Sequence, residues 1–176
     1  ASTKAMLPFV TADGTVAESL TRLNHRLAVE LGRGEFVALT IARFNPLDST
    51  VELANAGAPD PYVMRPGLSP LPLSVPGPRL PLGVRNEVAY ASRTVEISNG
   101  ERLLLLTDGL PEARDETGDP MGYSALESML GERPSTGPPS VWLAGLFDRV
   151  QRLTGRTPED DWTVAMLVPT GNGDSR

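Results

Sequence analysis

The sequence contains no cysteine and a single histidine, His25. The missing cysteine excludes disulfides, iron–sulfur clusters and thiolate zinc sites, and one histidine cannot supply a site built from several imidazole ligands. Lysine and arginine together number 16 against 22 acidic residues. The resulting net charge of −6 argues against a nucleic-acid surface, because such a surface needs a basic face.

Long hydrophobic runs are also missing. No apolar stretch approaches the roughly 18 residues that a membrane span needs, and no signal-peptide pattern is present. Hydrophobic residues make up 40% of the 176-residue chain and charged residues 22%, which is ordinary for a globular domain with its own core. We therefore expect a cytoplasmic protein that has neither a membrane nor a nucleic acid as its partner.

Acidic residues stand at the ends of two apolar segments. Asp108 follows the predicted strand 102–107, and Asp160 and Asp161 stand at the start of the predicted strand 161–168. If these strands pair antiparallel, the acids meet at one edge of a sheet. Paired carboxylates repel each other and cost stability unless a cation lies between them, and oxygen-only ligands favour Mg²⁺ or Mn²⁺ over zinc. The pattern predicts a carboxylate metal site.

Each of these acids also has a simpler interpretation. An Asp-Gly pair after a strand, such as Asp108-Gly109, is common in hairpin turns. The acids next to Pro158 are equally compatible with a solvated loop or a cap. His25 lies between polar neighbours on a predicted helix, and we interpret it as an exposed surface residue. Arg114 and Asp115 are more compatible with stabilising their own loop than with facing a substrate.

Periodicity and turn signals predict the remaining elements. Thr15 and Glu18 have the spacing of a capping box, which predicts a helix over 15–31. Glu35–Phe44 is apolar on both faces, so we expect a strand that is covered on both sides. The other predicted strands are 50–56, 62–65 and 88–97, the other predicted helices are 2–12, 123–130 and 140–153, and the proline-rich residues 66–83 are predicted to form an ordered surface excursion. This order predicts an α+β protein with antiparallel sheets between helices.

Short motifs along almost the whole chain resemble those of a known family. The matching segments, in order, are Arg22–Asn24, Phe36–Leu39, Ala54–Pro59, Pro81–Gly83, Leu105–Gly109, Glu112–Asp115 and Asp160–Thr163. Together they resemble the PPM-type (type 2C) metal-dependent serine/threonine phosphatases, in the bacterial SpoIIE/RsbU-like branch.

The resemblance implies a four-layer αββα fold, an antiparallel β-sandwich flanked by helix pairs. It implies hydrolysis of phosphoserine or phosphothreonine by a metal-activated water at a centre of two Mn²⁺ or Mg²⁺ ions, without a catalytic side chain. Asp108 and Asp160 match metal ligands of the family, whereas Asp161 takes a neighbouring, usually non-ligating place. The implied partner is a phosphorylated signalling protein of the anti-sigma-factor-antagonist type, with an upstream sensor or receiver domain; a homodimer is left open.

The family's earlier Gly-Asp-Val-Ser-Gly-type motif, whose aspartate bridges both ions, does not occur in this sequence. We therefore expect residues 1–169 to form one phosphatase domain that is incomplete at its N-terminus, with a flexible tail over 170–176. Such a segment alone is expected to bind metal weakly and to turn over poorly. Two other interpretations remain open: a degenerate, non-catalytic binding module in a signalling switch, and an unrelated α+β domain.

Overall fold

The computed structural model describes residues 14–132, 138–155 and 161–169. The predicted helix 2–12, the predicted tail 170–176 and Asp160 lie outside the described residues. The described chain divides into two compact units. Unit one comprises residues 14–58 and 74–96, and unit two comprises residues 59–73 together with the described residues from 97 onward.

Unit one combines a helix with a three-stranded antiparallel sheet. The elements are α1 (Val16–Glu30), β1 (Leu39–Asn45), β2 (Thr50–Ala56) and β5 (Arg93–Glu96), and the strand order is β1-β2-β5. Leu20, Leu23 and Leu27 of α1 are completely buried against the sheet residues Ala54 and Ala56. Their spacing of three and four residues puts them on one face of the helix, which explains why this helix carries the core of the unit.

Unit two combines a four-stranded antiparallel sheet with two helices. The elements are β3 (Tyr62–Met64), β4 (Leu71–Pro72), β6 (Arg102–Leu106), α2 (Gly122–Gly131), α3 (Pro139–Thr154) and β7 (Val164–Leu167), and the strand order is β4-β3-β6-β7. Leu104 of β6, Leu126 of α2 and Leu146 of α3 are completely buried in one hydrophobic cluster. The core of this unit therefore lies between its sheet and both helices.

The start of α1 agrees closely with the sequence prediction. The Thr15 hydroxyl accepts a hydrogen bond from the Glu18 amide, and the Glu18 carboxylate accepts one from the Thr15 amide. These bonds satisfy two backbone donors that a helix N-terminus would otherwise leave without partners. They also lower the pKa of Glu18, mainly through the hydrogen bond to the backbone of Thr15. The predicted capping box is confirmed.

Two strand predictions need correction. The first strand begins at Leu39 rather than Glu35, and its residues are half-buried or exposed, so it is not covered on both sides. Phe36 remains 60% exposed. The predicted strand 88–97 shortens to Arg93–Glu96, because the amide of Tyr90 donates to the Thr21 hydroxyl instead of to a neighbouring strand. In the second case, a side-chain partner far away along the chain thus binds a backbone group that the prediction placed in the sheet.

The proline-rich residues 66–83 are ordered, as predicted. In unit two, Leu73 is buried and its amide donates to the Pro61 carbonyl over 2.7 Å. In unit one, Leu82 is completely buried and pairs with Val37 in an isolated antiparallel bridge. Other leucines of the excursion, such as Leu68, are largely exposed.

The predicted α+β class with antiparallel sheets is confirmed: helices accompany two sheets, and every strand pairing within them is antiparallel. None of the helices in the described ranges combines the length and the apolar character required to cross a bilayer.

Candidate functional site

Strands β6 and β7 are antiparallel neighbours, which is the condition under which the acids at their ends would meet. Leu106 and Val164 form the last pair of the ladder. One residue further along, the amide of Thr107 donates to the carbonyl of Thr163 over 3.0 Å. The end of β6 and the start of β7 therefore lie side by side, and the chain positions of Asp108 and Asp161, which flank these strands, are brought to one sheet edge.

Asp108 lies immediately beyond this last backbone contact. Its residue is exposed, between the buried Leu106 and the completely buried Leu110. The carbonyl of Asp108 accepts the amide of Glu112 over 2.9 Å, so the chain turns directly after the strand. The alternation of buried and exposed residues anchors the backbone on both sides of Asp108 while leaving the residue itself accessible to solvent and to ions.

The segment before β7 lies against the same edge. The Thr107 hydroxyl donates to the carbonyl of Asp161 over 2.9 Å. A Cβ atom added to Gly109 would stand 2.7 Å from that same carbonyl oxygen, a distance that real side chains do not tolerate. Asp161 itself is exposed. The structure therefore brings Asp108 close to the chain position that directly follows Asp160, and the ligand role of Asp160 stays a prediction.

The described residues do not by themselves form a complete metal centre. Within residues 14–132, 138–155 and 161–169, no group of three or more histidine, cysteine, aspartate or glutamate side chains could hold an ion. The donors at the edge are carboxylate and carbonyl oxygens, which suit a hard cation such as Mg²⁺ or Mn²⁺. Asp108 thus fits one ligand of such an ion, and a full coordination sphere needs further oxygen donors.

The loop that follows Asp108 is held by its own side chains. The Asp115 carboxylate accepts hydrogen bonds from the amide and hydroxyl of Thr117 and from the amide of Asp119. The hydrogen bond from the Thr117 side chain is the main cause that lowers the pKa of Asp115. Arg114 donates to the carbonyl of Gly118 over 2.7 Å. These contacts support the interpretation that Arg114 and Asp115 stabilise their loop.

In unit one, the Asn-Ala-Gly motif builds a turn. The side-chain amide of Asn55 exchanges two hydrogen bonds with the backbone of Ala58, at 2.9 and 3.0 Å. Gly57 has a positive φ of 81°, and a Cβ there would stand 2.6 Å from the Pro81 ring. Only glycine satisfies both requirements, so this motif serves backbone geometry.

Asn24 is a structural residue whose role was not predicted from the sequence. It is completely buried in α1, and its side-chain amide donates to the carbonyls of Arg85 and Asn86 and accepts the amide of Gly83. Next to it, His25 is exposed, as predicted, and its Nδ1 lies 2.9 Å from Asn86 Oδ1. In the sequence, an isolated asparagine on the apolar face of a predicted helix indicates such a structural role, because buried polar groups need partners.

A sequence profile of the family described as stage II sporulation protein E (SpoIIE) matches residues 2–168. The chain belongs to the SpoIIE family. A search of curated proteins returned no match.

Solved structures of similar fold include domains that are named as phosphatase or PP2C domains. The SpoIIE phosphatase domain of Bacillus subtilis, in a manganese-soaked crystal, superposes with a TM-score of 0.67 at 18% identity, over 96% of this chain and 72% of that one. The SiaA PP2C domain of Pseudomonas aeruginosa gives 0.76 at 18% identity, over 94% and 64%. The RsbU and RsbW domains of a Mycobacterium tuberculosis protein give 0.73 at 22% identity, over 96% and 47%.

The family match shows that the chain belongs to the SpoIIE family, and these solved structures, among them domains named as phosphatase or PP2C domains, share its fold. The resemblance seen in the sequence is thus confirmed. The SpoIIE-family chain spans about three quarters to one half of the length of these solved chains.

Proposed function

We propose that this SpoIIE-family chain is a metal-dependent protein phosphatase domain that hydrolyses phosphoserine or phosphothreonine on a small signalling protein, of the type that antagonises anti-sigma factors, in the cytoplasm. Asp108 and Asp160 are proposed as ligands of Mn²⁺ or Mg²⁺. The observation that carries the proposal is the antiparallel pairing of β6 with β7. It brings the exposed Asp108 to the side of residues 161–163, which directly follow Asp160 in the sequence.

The proposed chemistry assigns little to the side chains themselves. Asp108 and Asp160 would hold an ion at the solvent-exposed sheet edge, where a phosphate on another protein has access. The bound ions would supply an activated water and neutralise charge on the phosphate. This reaction needs no nucleophilic side chain, so it is compatible with a chain that lacks cysteine. The net charge of −6 is compatible with an anionic substrate, because bound cations reverse the local field.

The test is phosphate release from a phosphoserine protein and from an aryl phosphate, with Mn²⁺, with Mg²⁺ and with a chelator. It should be run on this chain and on the chain joined to any upstream residues that its gene encodes. We expect release with metal and none with chelator. Asp108→Asn and Asp160→Asn should each lower the rate on the order of 100-fold or more, because a lost ligand removes charge stabilisation of the transition state.

Asp148→Asn is the matched control, because Asp148 is an exposed acid on α3 of the same unit. This variant should retain the wild-type rate. Equal rates for Asp108→Asn and Asp148→Asn would contradict the proposed ligand role of Asp108. Release that persists in chelator would contradict metal dependence.

A second candidate is a non-catalytic phosphatase-like module that binds a signalling partner. The observation in its favour is that no cluster of three candidate ligands exists within the ranges that the structure describes. Isothermal titration with Mn²⁺ separates the two candidates. Metal binding that depends on Asp108, accompanied by phosphate release, supports the enzyme, whereas the absence of both in every form of the protein supports the binding module.

A further inference from the structure

The hydroxyl of Thr107 joins the ends of β6 and β7. It donates to the carbonyl of Asp161 over 2.9 Å and accepts the amide of Thr163 over 3.1 Å. The partners are more than 50 residues away along the chain. One hydroxyl thus uses both its donor and its acceptor capacity to hold a single short segment.

Gly109 leaves the space that this arrangement requires. An added Cβ would lie 2.7 Å from the Asp161 oxygen and 3.2 Å from its carbonyl carbon. The φ angle of Gly109 is not among the positive values of the chain, so the glycine is needed for space rather than for an unusual backbone conformation. The Asp161 carbonyl therefore occupies a slot between the Thr107 hydroxyl and the Gly109 backbone.

A third contact holds the same segment against a helix. The ring of Trp162 stacks on Phe147 of α3, with centroids 6.4 Å apart and an interplanar angle of 6°. Residues 161–163 are therefore fixed by a side-chain hydroxyl, a backbone slot and an aromatic stack. The stack would hold the segment against α3, whereas the Thr107 hydroxyl and the Thr107 amide, which donates to the Thr163 carbonyl, tie it to the strand end that carries Asp108.

We propose that Thr107 is a positioning residue of the metal centre: its hydroxyl, working in the slot left by Gly109, holds the strand end that carries Asp108 against residues 161–163. The inference rests on the proposed function. Thr107 does not touch the ion or the substrate. It acts by fixing the strand end that carries Asp108 to a segment distant in sequence, and residues that orient metal ligands typically change metal affinity 10- to 100-fold when they are removed.

The test compares Thr107→Val, which keeps the shape and removes the hydroxyl, with Thr107→Ser, which keeps the hydroxyl. Thr94→Val, at an exposed threonine of β5 in the other unit, is the matched control. Mn²⁺ affinity is measured by calorimetry without substrate, and the Mn²⁺ concentration for half-maximal phosphate release is measured separately from kcat.

Thr107→Val should weaken Mn²⁺ binding on the order of 10-fold or more, with a smaller change in kcat at saturating Mn²⁺. Thr107→Ser should restore most of the affinity, and Thr94→Val should bind as the wild type does. In the metal-free protein, the Thr163 amide should exchange with solvent faster in Thr107→Val than in Thr107→Ser. If Thr107→Val does not fold, Gly109→Ala tests the same slot and should also weaken Mn²⁺ binding.

Two outcomes overturn the proposal, and they are distinguishable. Wild-type Mn²⁺ affinity in a folded Thr107→Val or Gly109→Ala variant would reject the positioning role and leave the proposed function intact. Failure of the wild-type protein to bind Mn²⁺, both as this chain and joined to any upstream residues that its gene encodes, in samples whose Thr163 amide is protected, would reject the proposed function together with this inference.

Discussion

The two units place their polar side chains differently. In unit one, Asn24 is completely buried and uses its side-chain amide for three hydrogen bonds to the backbone of residues 83–86. In unit two, Asp108 is exposed just beyond the end of β6, whose own residues are mostly buried. Asn24 therefore serves the stability of a loop, whereas Asp108 stands where it contributes little to packing and is accessible to a ligand.

The contrast separates two reasons for a polar residue next to an apolar segment. A buried polar group must be satisfied within the protein, or it costs the full desolvation penalty. An exposed acid at a strand end carries no such requirement, so its position can serve binding. The difference is measurable, because a stabilising residue and a ligand-binding residue respond differently when their polar atoms are removed.

The largest effect on stability is expected at Asn24. Asn24→Ala removes three hydrogen bonds and leaves backbone groups of the 83–86 loop without their buried partner, so it should lower the free energy of unfolding by about 2 kcal/mol. His25→Ala is the control, because His25 is exposed and its contact to Asn86 is at the surface. Denaturant unfolding measures the stability of both variants. Equal stability of the two would contradict a stabilising role for the buried Asn24 side chain.

The next largest effect is expected at the start of α1. Thr15→Ala removes the capping hydroxyl that accepts the Glu18 amide and should cost about 1 kcal/mol. Thr15→Ser keeps the hydroxyl and should remain close to wild type. Thermal and urea unfolding give the values. A Thr15→Ser variant as unstable as Thr15→Ala would show that the hydroxyl is not what stabilises this helix end.

A smaller effect is expected from Asp108→Asn. Because Asp108 is exposed, the substitution should change the free energy of unfolding of the metal-free protein by no more than about 0.5 kcal/mol, although it should abolish stabilisation by Mn²⁺. Thermal unfolding with and without Mn²⁺ tests this, with Asp148→Asn as the control that keeps the metal response. A large loss of stability without metal would place Asp108 among the structural residues.

The smallest effect is expected at Asp115, an acid of unit two that is held by its own loop. Hydrogen bonds from Thr117 lower its pKa in the folded protein, so its contribution is present at neutral pH and is lost as the pH falls through that lowered value. The NMR chemical shift of the Thr117 amide, which donates to Asp115, should therefore change with pH with a midpoint below the usual aspartate pKa of about 3.9. Asp115→Asn should remove this titration, and a midpoint above 3.9 would contradict the assignment.

Local patterns predicted much of the fold. The capping box of Thr15 and Glu18 and the bounds of β2 follow from neighbouring residues, because their hydrogen bonds or turns lie within a few positions. The predicted start of the first strand, at Glu35 instead of Leu39, was wrong for the opposite reason: apolar residues such as Phe36 favour a strand, but nothing nearby in the sequence shows that Phe36 remains exposed. The backbone of Tyr90 likewise found its partner in Thr21, which is 69 residues away.

The sequence by itself determined the identity of the acids, the apolar strands beside them and the helix start, since these depend on residue type and on contacts within three or four positions. Only the tertiary structure decided that β6 lies beside β7, that the Thr107 hydroxyl reaches the backbone of Asp161 54 positions away, and that Asn24 is buried. Such contacts depend on which surfaces meet once the chain has collapsed, and spacing along the chain does not encode that choice locally.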